Sequence, residues 1–207
     1  MARLVRAAGV RDARVLDAIL HVPRAAFVPA PAEHDAYRDE PIPIPFGQVT
    51  TQPSLSARML EALALEGHEH VLEIGTGYGF QTALLARLAA RVVSIERHAE
   101  LSRVARRNLE RQGAAGVELV VGDGSAGFEA RAPFEAILVS AAFTRVPEPL
   151  AEQLARGGWL VQPLGPGGRD EVVLFERSSK GLERKRNVTP AHFVRLYGAH
   201  AFAADDD

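Results

Sequence analysis

The 207-residue chain has no cysteine. That excludes disulfides, thiolate nucleophiles and thiolate metal sites, and it fits a reducing cytoplasm. Charge of one sign is also lacking: 24 Lys and Arg stand against 26 Asp and Glu, a formal net charge of −2. Such a balance offers no bulk field to nucleic acid or to an anionic membrane. No apolar run approaches the ~20 residues of a membrane span, and Met1 to Arg6 carries no long apolar stretch of a secretion signal. Repeats and low-complexity linkers are absent too. What remains is 47% hydrophobic residues, ample for the core of one domain. The expectation is a single cytoplasmic, monomeric unit without nucleic-acid or membrane partners.

From position 70 onward apolar runs and amphipathic stretches alternate. Strands are predicted at 70–74, 91–96, 117–121, 134–140 and 159–164, and helices at 79–89, 98–112 and 147–156. Alternation of this kind implies an α/β fold, a mostly parallel sheet covered on both faces. After Gly165 to Gly168 the pattern changes to a strand pair, 171–176 and 182–188, joined by Ser178 to Gly181. Upstream, Val15, Leu16, Ile19 and Leu20 have helical spacing, and Pro53 opens a helix with Leu55, Met59, Leu60 and Leu63 on one face. Between them, prolines at 29, 31, 41, 43, 45 and 53 predict an extended, irregular segment, long enough to suggest a functional loop. The chain thus divides into an N-terminal covering segment (1–53), an α/β core (54–168) and a C-terminal hairpin with a loop (169–207).

The densest signal is Val71-Leu72-Glu73-Ile74-Gly75-Thr76-Gly77-Tyr78-Gly79-Phe80-Gln81, a buried-strand pattern ending in three alternating glycines. Glycines let the backbone turn sharply and approach a ligand. The next strand, Arg91 to Glu96, ends in a carboxylate, the residue type that takes ribose hydroxyls in doubly wound folds. A dinucleotide fingerprint needs G-x-G-x-x-G, but the position three after Gly77 is Phe80. The tighter turn suits S-adenosylmethionine, whose zwitterionic tail and sulfonium tolerate Glu73 nearby. Glu96 can accept two ribose hydroxyls, and Asp123, in Gly122-Asp123-Gly124, is expected at the adenine edge. An ordinary turn or a capping acid would account for each feature singly, but not for all three at these offsets.

Several motifs together resemble the protein-L-isoaspartate O-methyltransferase family. Val22-Pro23-Arg24-Ala25-Ala26-Phe27-Val28-Pro29 is similar to its VPR-x-x-FVP, and Tyr37 to Ile44 to its Y-x-D-x-P-x-P-I. Gly47 to Pro53 resembles GQTISQP, Val71 to Gln81 VLEIGTGSGYQ, Gly122 to Gly124 GDG, and Glu152 to Gly158 EQL-x-x-GG. The resemblance implies a seven-stranded doubly wound sheet with one antiparallel strand. It implies methyl transfer to the α-carboxylate of L-isoaspartyl residues in damaged proteins or peptides, whose ester collapses to a succinimide that hydrolyses partly to normal aspartate. It also implies Val49, Thr50, Glu73, Gly75, Thr76, Gly77, Gln81, Glu96, Arg97, Asp123 and Gly124 as cofactor residues. Ile44, Phe193, Val194 and Arg195 are implied substrate contacts, and Thr51 stands where the family has its active-site serine. By residue type alone, Thr51 could instead cap the helix after Pro53.

Three departures bear on the acceptor: threonine for the serine at 51, Val49 for the family's threonine, and Arg195 for proline in Phe193-Val194-Arg195-Leu196. They keep open a related O-methyltransferase with another carboxylate or a modified peptide as acceptor, or a cofactor-binding member without isoaspartyl activity. Arg195 is expected to face solvent. His68-Glu69-His70 reads as a solvated loop rather than a metal clip, and no metal site is expected. The arginines of 98–112 read as a solvated helix face and Arg184 to Arg186 as a charged edge strand. His98 and His192 have no identifiable partner, Trp159 is expected in the core, and Asp205 to Asp207 in a disordered tail.

Overall fold

The computed structural model describes residues 1–203; the acidic tail at 205–207 lies outside the described residues. Nine strands and six α-helices follow in chain order among the described residues. The N-terminal part holds α1 (Ala2–Ala7), α2 (Ala13–His21), β1 (Ile42–Ile44), β2 (Gln48–Thr50) and α3 (Pro53–Ala62). The core holds β3 (His70–Ile74), α4 (Phe80–Leu88), β4 (Arg91–Glu96), α5 (Ala99–Arg111) and β5 (Val117–Val121). It continues through β6 (Phe134–Val139), α6 (Glu148–Gln153), β7 (Leu154–Leu164), β8 (Asp170–Ser178) and β9 (Gly181–Ala191). None of these helices is long and apolar enough to cross a membrane.

The main sheet has the order β5-β4-β3-β6-β7-β8-β9. Strands β5 to β7 are mutually parallel, β8 is antiparallel to β7, and β9 is antiparallel to β8. Only β8 therefore runs against the rest. Strand order reverses beside β3: the chain leaves it for β4 on one side and later returns to β6 on the other. A crevice at the carboxyl ends of the strands opens at such a switch point. Alternating residues feed opposite faces, Val71 and Leu138 into one core cluster and Leu72, Ile74, Ile137 and Val139 into the other.

Three elements differ from the sequence expectation. The proline-rich stretch is not irregular: 3-10 turns at Arg24–Phe27 and Ala30–Asp35 lead into a hairpin in which Ile42 pairs with Thr50. Helix α6 ends at Gln153 and strand β7 begins at Leu154, where the Arg177 guanidinium binds the carbonyls of Glu152 and Leu154. Helix α1 lies in a stretch too short for periodicity to show, and it is held by burial of Val5. Trp159 is only half-buried at the margin of the core, and Arg184 to Arg186 do lie on the edge strand β9.

Buried Asp170 fastens the C-terminal segment to the sheet. Its Oδ1 accepts from Gly167 N at 2.9 Å, and its Oδ2 from Gly168 N at 3.1 Å and Phe193 N at 2.9 Å. Replacing this acceptor orphans three backbone donors, each bonded to a charged group. Asp170→Ala is expected to lower unfolding free energy by about 3 kcal/mol in urea denaturation, with the segment around Phe193 becoming the first site of protease cleavage.

Candidate active site

The turn between β3 and α4 is built from backbone that side chains resist. Gly75, Gly77 and Gly79 have φ of +96°, +56° and +93°. A Cβ at Gly75 would lie 3.3 Å from the Ser140 Cβ, and one at Gly79 would lie 3.3 Å from Leu109 Cγ. The first glycine thus lets the turn pass against the end of β6, and the third lets α4 start against α5. Gly77 N donates to Glu96 Oε2 at 2.9 Å, and His98 N donates to Glu96 Oε1 at 3.0 Å. One carboxylate ties the glycine turn to the loop after β4, and each oxygen keeps a lone pair for a ligand.

A crevice opens above this turn, lined by Val49, Thr50, Thr51, Gly75, Thr76, Gly77, Gln81, Glu96, Ser140, Phe193 and Val194. It continues past Gly124, Arg97, Arg195 and Tyr197. Arg97, Arg195 and Tyr197 also border an outer cavity of about 480 Å³ with Phe46 and His98. The C-terminal segment closes one side, as Ala142 N donates to Val194 O and Leu196 N to Ala142 O, both at 2.8 Å. Ile44, an expected substrate contact, is buried on the hairpin and lies 3.6 Å from where a Gly77 Cβ would sit. It roofs the turn instead of lining the crevice.

Two acids stand elsewhere than expected. Glu73 is wholly buried and does not line the crevice. Register pairs it with Ser94 on β4, and its Oε2 accepts from Ser94 Oγ at 2.6 Å and Thr82 Oγ1 at 2.5 Å. Thr76 Oγ1 joins the chain through Ser94 Oγ at 2.6 Å, so Glu73 supports the glycine turn from below. Burial pushes its pKa up to about 7 against the bonds from Ser94, Thr82 and Gln81, with a further push from the Glu96 charge. Glu73 Oε1 and Gln81 Oε1 are both buried without a hydrogen-bond partner among the described residues. Asp123 caps the turn at Gly124–Ala126: its Oδ1 accepts from Ser125 N at 2.8 Å and its Oδ2 from Ala199 N at 2.7 Å. Its carboxylate anchors the C-terminal segment, and the adjacent Gly124, not Asp123, lines the crevice.

Thr51 faces the crevice and does not cap α3, whose N-cap is Gln52 without a side-chain bond. Arg195 is exposed, but it is not free: Nε donates to Pro166 O at 2.9 Å and the guanidinium lies 5.3 Å from the Phe202 ring centroid. His98 has a partner that the sequence did not reveal, the Phe46 ring stacked at 4.5 Å and 8°. Arg97 lies 5.0 Å from the Tyr197 ring. His192, with Arg58 and Pro190, borders an adjoining pocket that shares Val49, Thr51 and Phe193 with the crevice. Glu69 takes the Glu66 and Gly67 amides at 2.7 and 2.8 Å, which closes the turn holding His68.

Sequence reasoning quoted Arg24 only as part of a motif, yet it sets the shape of the covering segment. Its buried guanidinium donates to the carbonyls of Ala36, Arg38, Glu40 and Thr51 at 2.9 to 3.1 Å and to Thr50 Oγ1 at 3.0 Å. Burial lowers its pKa to about 10, partly offset by the Asp39 charge, so it stays cationic at neutral pH. Ser140 was likewise missed; its Oγ accepts from Gln81 Nε2 at 2.7 Å. Neither contact has a local sequence signal, because the partners are far apart in the chain.

A doubly wound sheet with a glycine turn after its first parallel strand and a carboxylate ending the next is the architecture of S-adenosylmethionine-dependent methyltransferases. At the level of fold the chain shares it with a Plasmodium falciparum chain described as a beta-aspartate methyltransferase, crystallised with S-adenosyl-L-homocysteine. That likeness has a TM-score of 0.82 at 20% identity and covers 95% of this chain and 96% of the other. The chain belongs to the Protein-L-isoaspartate(D-aspartate) O-methyltransferase (PCMT) family, whose model matches residues 1–201. It is 49% identical to a protein-L-isoaspartate O-methyltransferase of Methanoculleus marisnigri over 177 residues, 85% of this chain and 80% of that one. A solved protein-L-isoaspartate O-methyltransferase superposes with a TM-score of 0.85 at 28% identity, covering 97% of this chain and 66% of the other.

The residues present fit a methyl-donor nucleoside: a side-chain-free cradle at Gly75 and Gly77, spare acceptor capacity on Glu96, and neutral donors along the wall.

Two outcomes follow from these contacts. Arg24→Lys keeps the charge but leaves three N–H donors on a point cation, unable to span the same acceptors. It is expected to cost about 3 kcal/mol in chemical denaturation and to expose the 36–51 segment to limited proteolysis. For Glu73, the folded pKa of about 7 lies above its ordinary 4.5. The stabilisation is therefore present in full below pH 4.5 and is lost as pH rises through 7. Glu73→Gln removes that slope, on the order of 3 kcal/mol between those limits, seen as a flat melting temperature from pH 5 to 7.5 relative to the parent.

Proposed function

We propose that this chain transfers a methyl group from S-adenosylmethionine to the free α-carboxylate of L-isoaspartyl residues in damaged proteins or peptides. The observation that carries the reading is one crevice shared by the glycine turn, Glu96, the Thr51 side chain and Phe193-Val194. Family membership over residues 1–201 supports the same acceptor. In this reading Gly75, Thr76, Gly77 and Gln81 hold the donor's amino-acid end and Glu96 its ribose. Arg97 and Gly124 flank the adenosine, and Val49 and Thr50 form the near wall. Thr51 meets the acceptor, and Phe193, Val194 and Arg195 close over it. The composition without cysteine supports a cytoplasmic setting.

When bound, the cofactor supplies a methyl on a sulfonium leaving group. A carboxylate acceptor is already ionised at pH 7, since its pKa lies near 4, so the chain need not supply a general base. Its own residues position and dry the site. The Thr51 hydroxyl donates to the acceptor carboxylate and fixes its direction. Its backbone is held in turn, since Arg24 Nη2 binds the Thr51 carbonyl at 3.1 Å. The hairpin over Gly77 and the segment at Phe193 exclude water, which matters because opposite charges approach one another in the reaction. Holding two reactants in line can contribute up to about 7–11 kcal/mol. The inner part of the crevice, around Thr51 and Gly77, is lined by no Lys, Arg or His, and Arg97 and Arg195 stand farther out along it.

Incubation with methyl-labelled cofactor and an isoaspartyl peptide beside its normal aspartyl twin tests the assignment. Base-labile label on the isoaspartyl peptide alone is expected. Equal labelling of both, or of neither, would overturn it in favour of another acceptor.

A further inference from the structure

Ser56 lies on α3, wholly buried, in the wall of the crevice beside Thr51 and Gly77. Its Oγ has no hydrogen-bond partner among the described residues. A helical serine usually folds its hydroxyl back onto a carbonyl of the preceding turn; here the Gln52 carbonyl receives only the Ser56 N–H, at 3.1 Å. Buried hydroxyls without partners are rare in native proteins because the lost hydration is not replaced. An orphan at a crevice wall is best explained by a partner that arrives with the ligand.

Three other hydroxyls of this wall are engaged, and that of Thr51 is the one assigned to the acceptor. Thr50 Oγ1 accepts from Arg24, Thr76 Oγ1 is bonded to Ser94, and Ser140 Oγ accepts from Gln81. Val49 presents only methyl groups. No cationic side chain lines this part of the crevice. A carboxylate lodged there must be met by neutral donors, and Ser56 is a buried O–H with nothing else to bind. We propose that Ser56 donates a hydrogen bond to the carboxylate at the amino-acid end of the methyl donor and so is a cofactor-binding residue. The inference rests on the S-adenosylmethionine reading of the crevice and adds a contact to it.

The proposal makes two changes of opposite sign, which a merely structural serine would not produce. Ser56→Ala removes an unsatisfied group from the free protein and a charge-assisted bond from the complex. In thermal melts without ligand the variant is expected to unfold at the same temperature as the parent or a higher one. In titration calorimetry with S-adenosyl-L-homocysteine, Kd is expected to rise at least about tenfold. With the methyl ester of that ligand, whose carboxylate is masked, parent and variant are expected to bind alike. The KM of an isoaspartyl peptide at saturating cofactor is expected to stay unchanged, which separates the donor's carboxylate from the acceptor's. The proposal fails if Ser56→Ala binds the free-acid ligand within twofold of the parent, or loses as much affinity for the ester. It also fails if the variant melts lower with unchanged affinity, or if only the peptide KM moves. Absence of ligand binding by the parent protein itself would overturn the cofactor reading, and this inference with it.

Discussion

The turn from Ile74 to Gly79 holds its path because three of its residues occupy left-handed backbone at once. Everything functional is arranged around that constraint. With the turn drawn tight against Ser140 and α5, Gly77 N reaches the Glu96 carboxylate at the end of the neighbouring strand. A side chain at Gly75 would meet Ser140 and lift the turn away from β6. Glu96 in turn fixes the start of the next loop through His98 N. A single carboxylate therefore sets the distance between the glycine turn and the loop after β4.

The second organising element is a buried cation without a carboxylate partner. The two terminal nitrogens of the Arg24 guanidinium bind backbone carbonyls from both ends of the covering segment, at Ala36 to Glu40 and at Thr51. Carbonyl dipoles replace a counter-ion here, and the geometric fork of the guanidinium converts a proline-rich stretch into a defined roof. The hairpin of β1 and β2 packs Ile44 over Gly77, and Phe46 stacks on His98 at its tip. The site is thus closed by two remote segments, one fixed by Arg24 and the other by Asp170. Polar burial does the fastening in both cases, which is why it is specific: an apolar contact could slide, whereas a satisfied set of bonds cannot.

Glu73 shows how a motif can be legible while its role is not. The acid before the glycine turn stood out in the sequence, but strand register turns its side chain beside Ser94 into the interior. It steadies the turn through Ser94 and Thr76 and does not line the crevice. Asp123 is a parallel case: position beside a glycine marked it as a site residue, whereas its carboxylate binds the Ala199 amide, 76 positions away. Gly75, Gly77, Glu96 and Thr51 line one crevice, because turn chemistry and strand order bring these chain segments together.

The amino-acid sequence by itself determined the α/β architecture, the glycine turn, the acid ending β4 and the order of the motifs. Those features follow from hydrophobic period and from backbone freedom, which are local properties. Only the tertiary structure decided which side chains face the crevice and which hold it from behind. Arg24, Ser56, Ser140, Phe46 and Asp170 acquire their parts through partners distant in sequence, and no local pattern carries that information. The direction of a buried polar side chain is fixed by the hydrogen bonds available after the chain has closed, so it can be read only from the folded molecule.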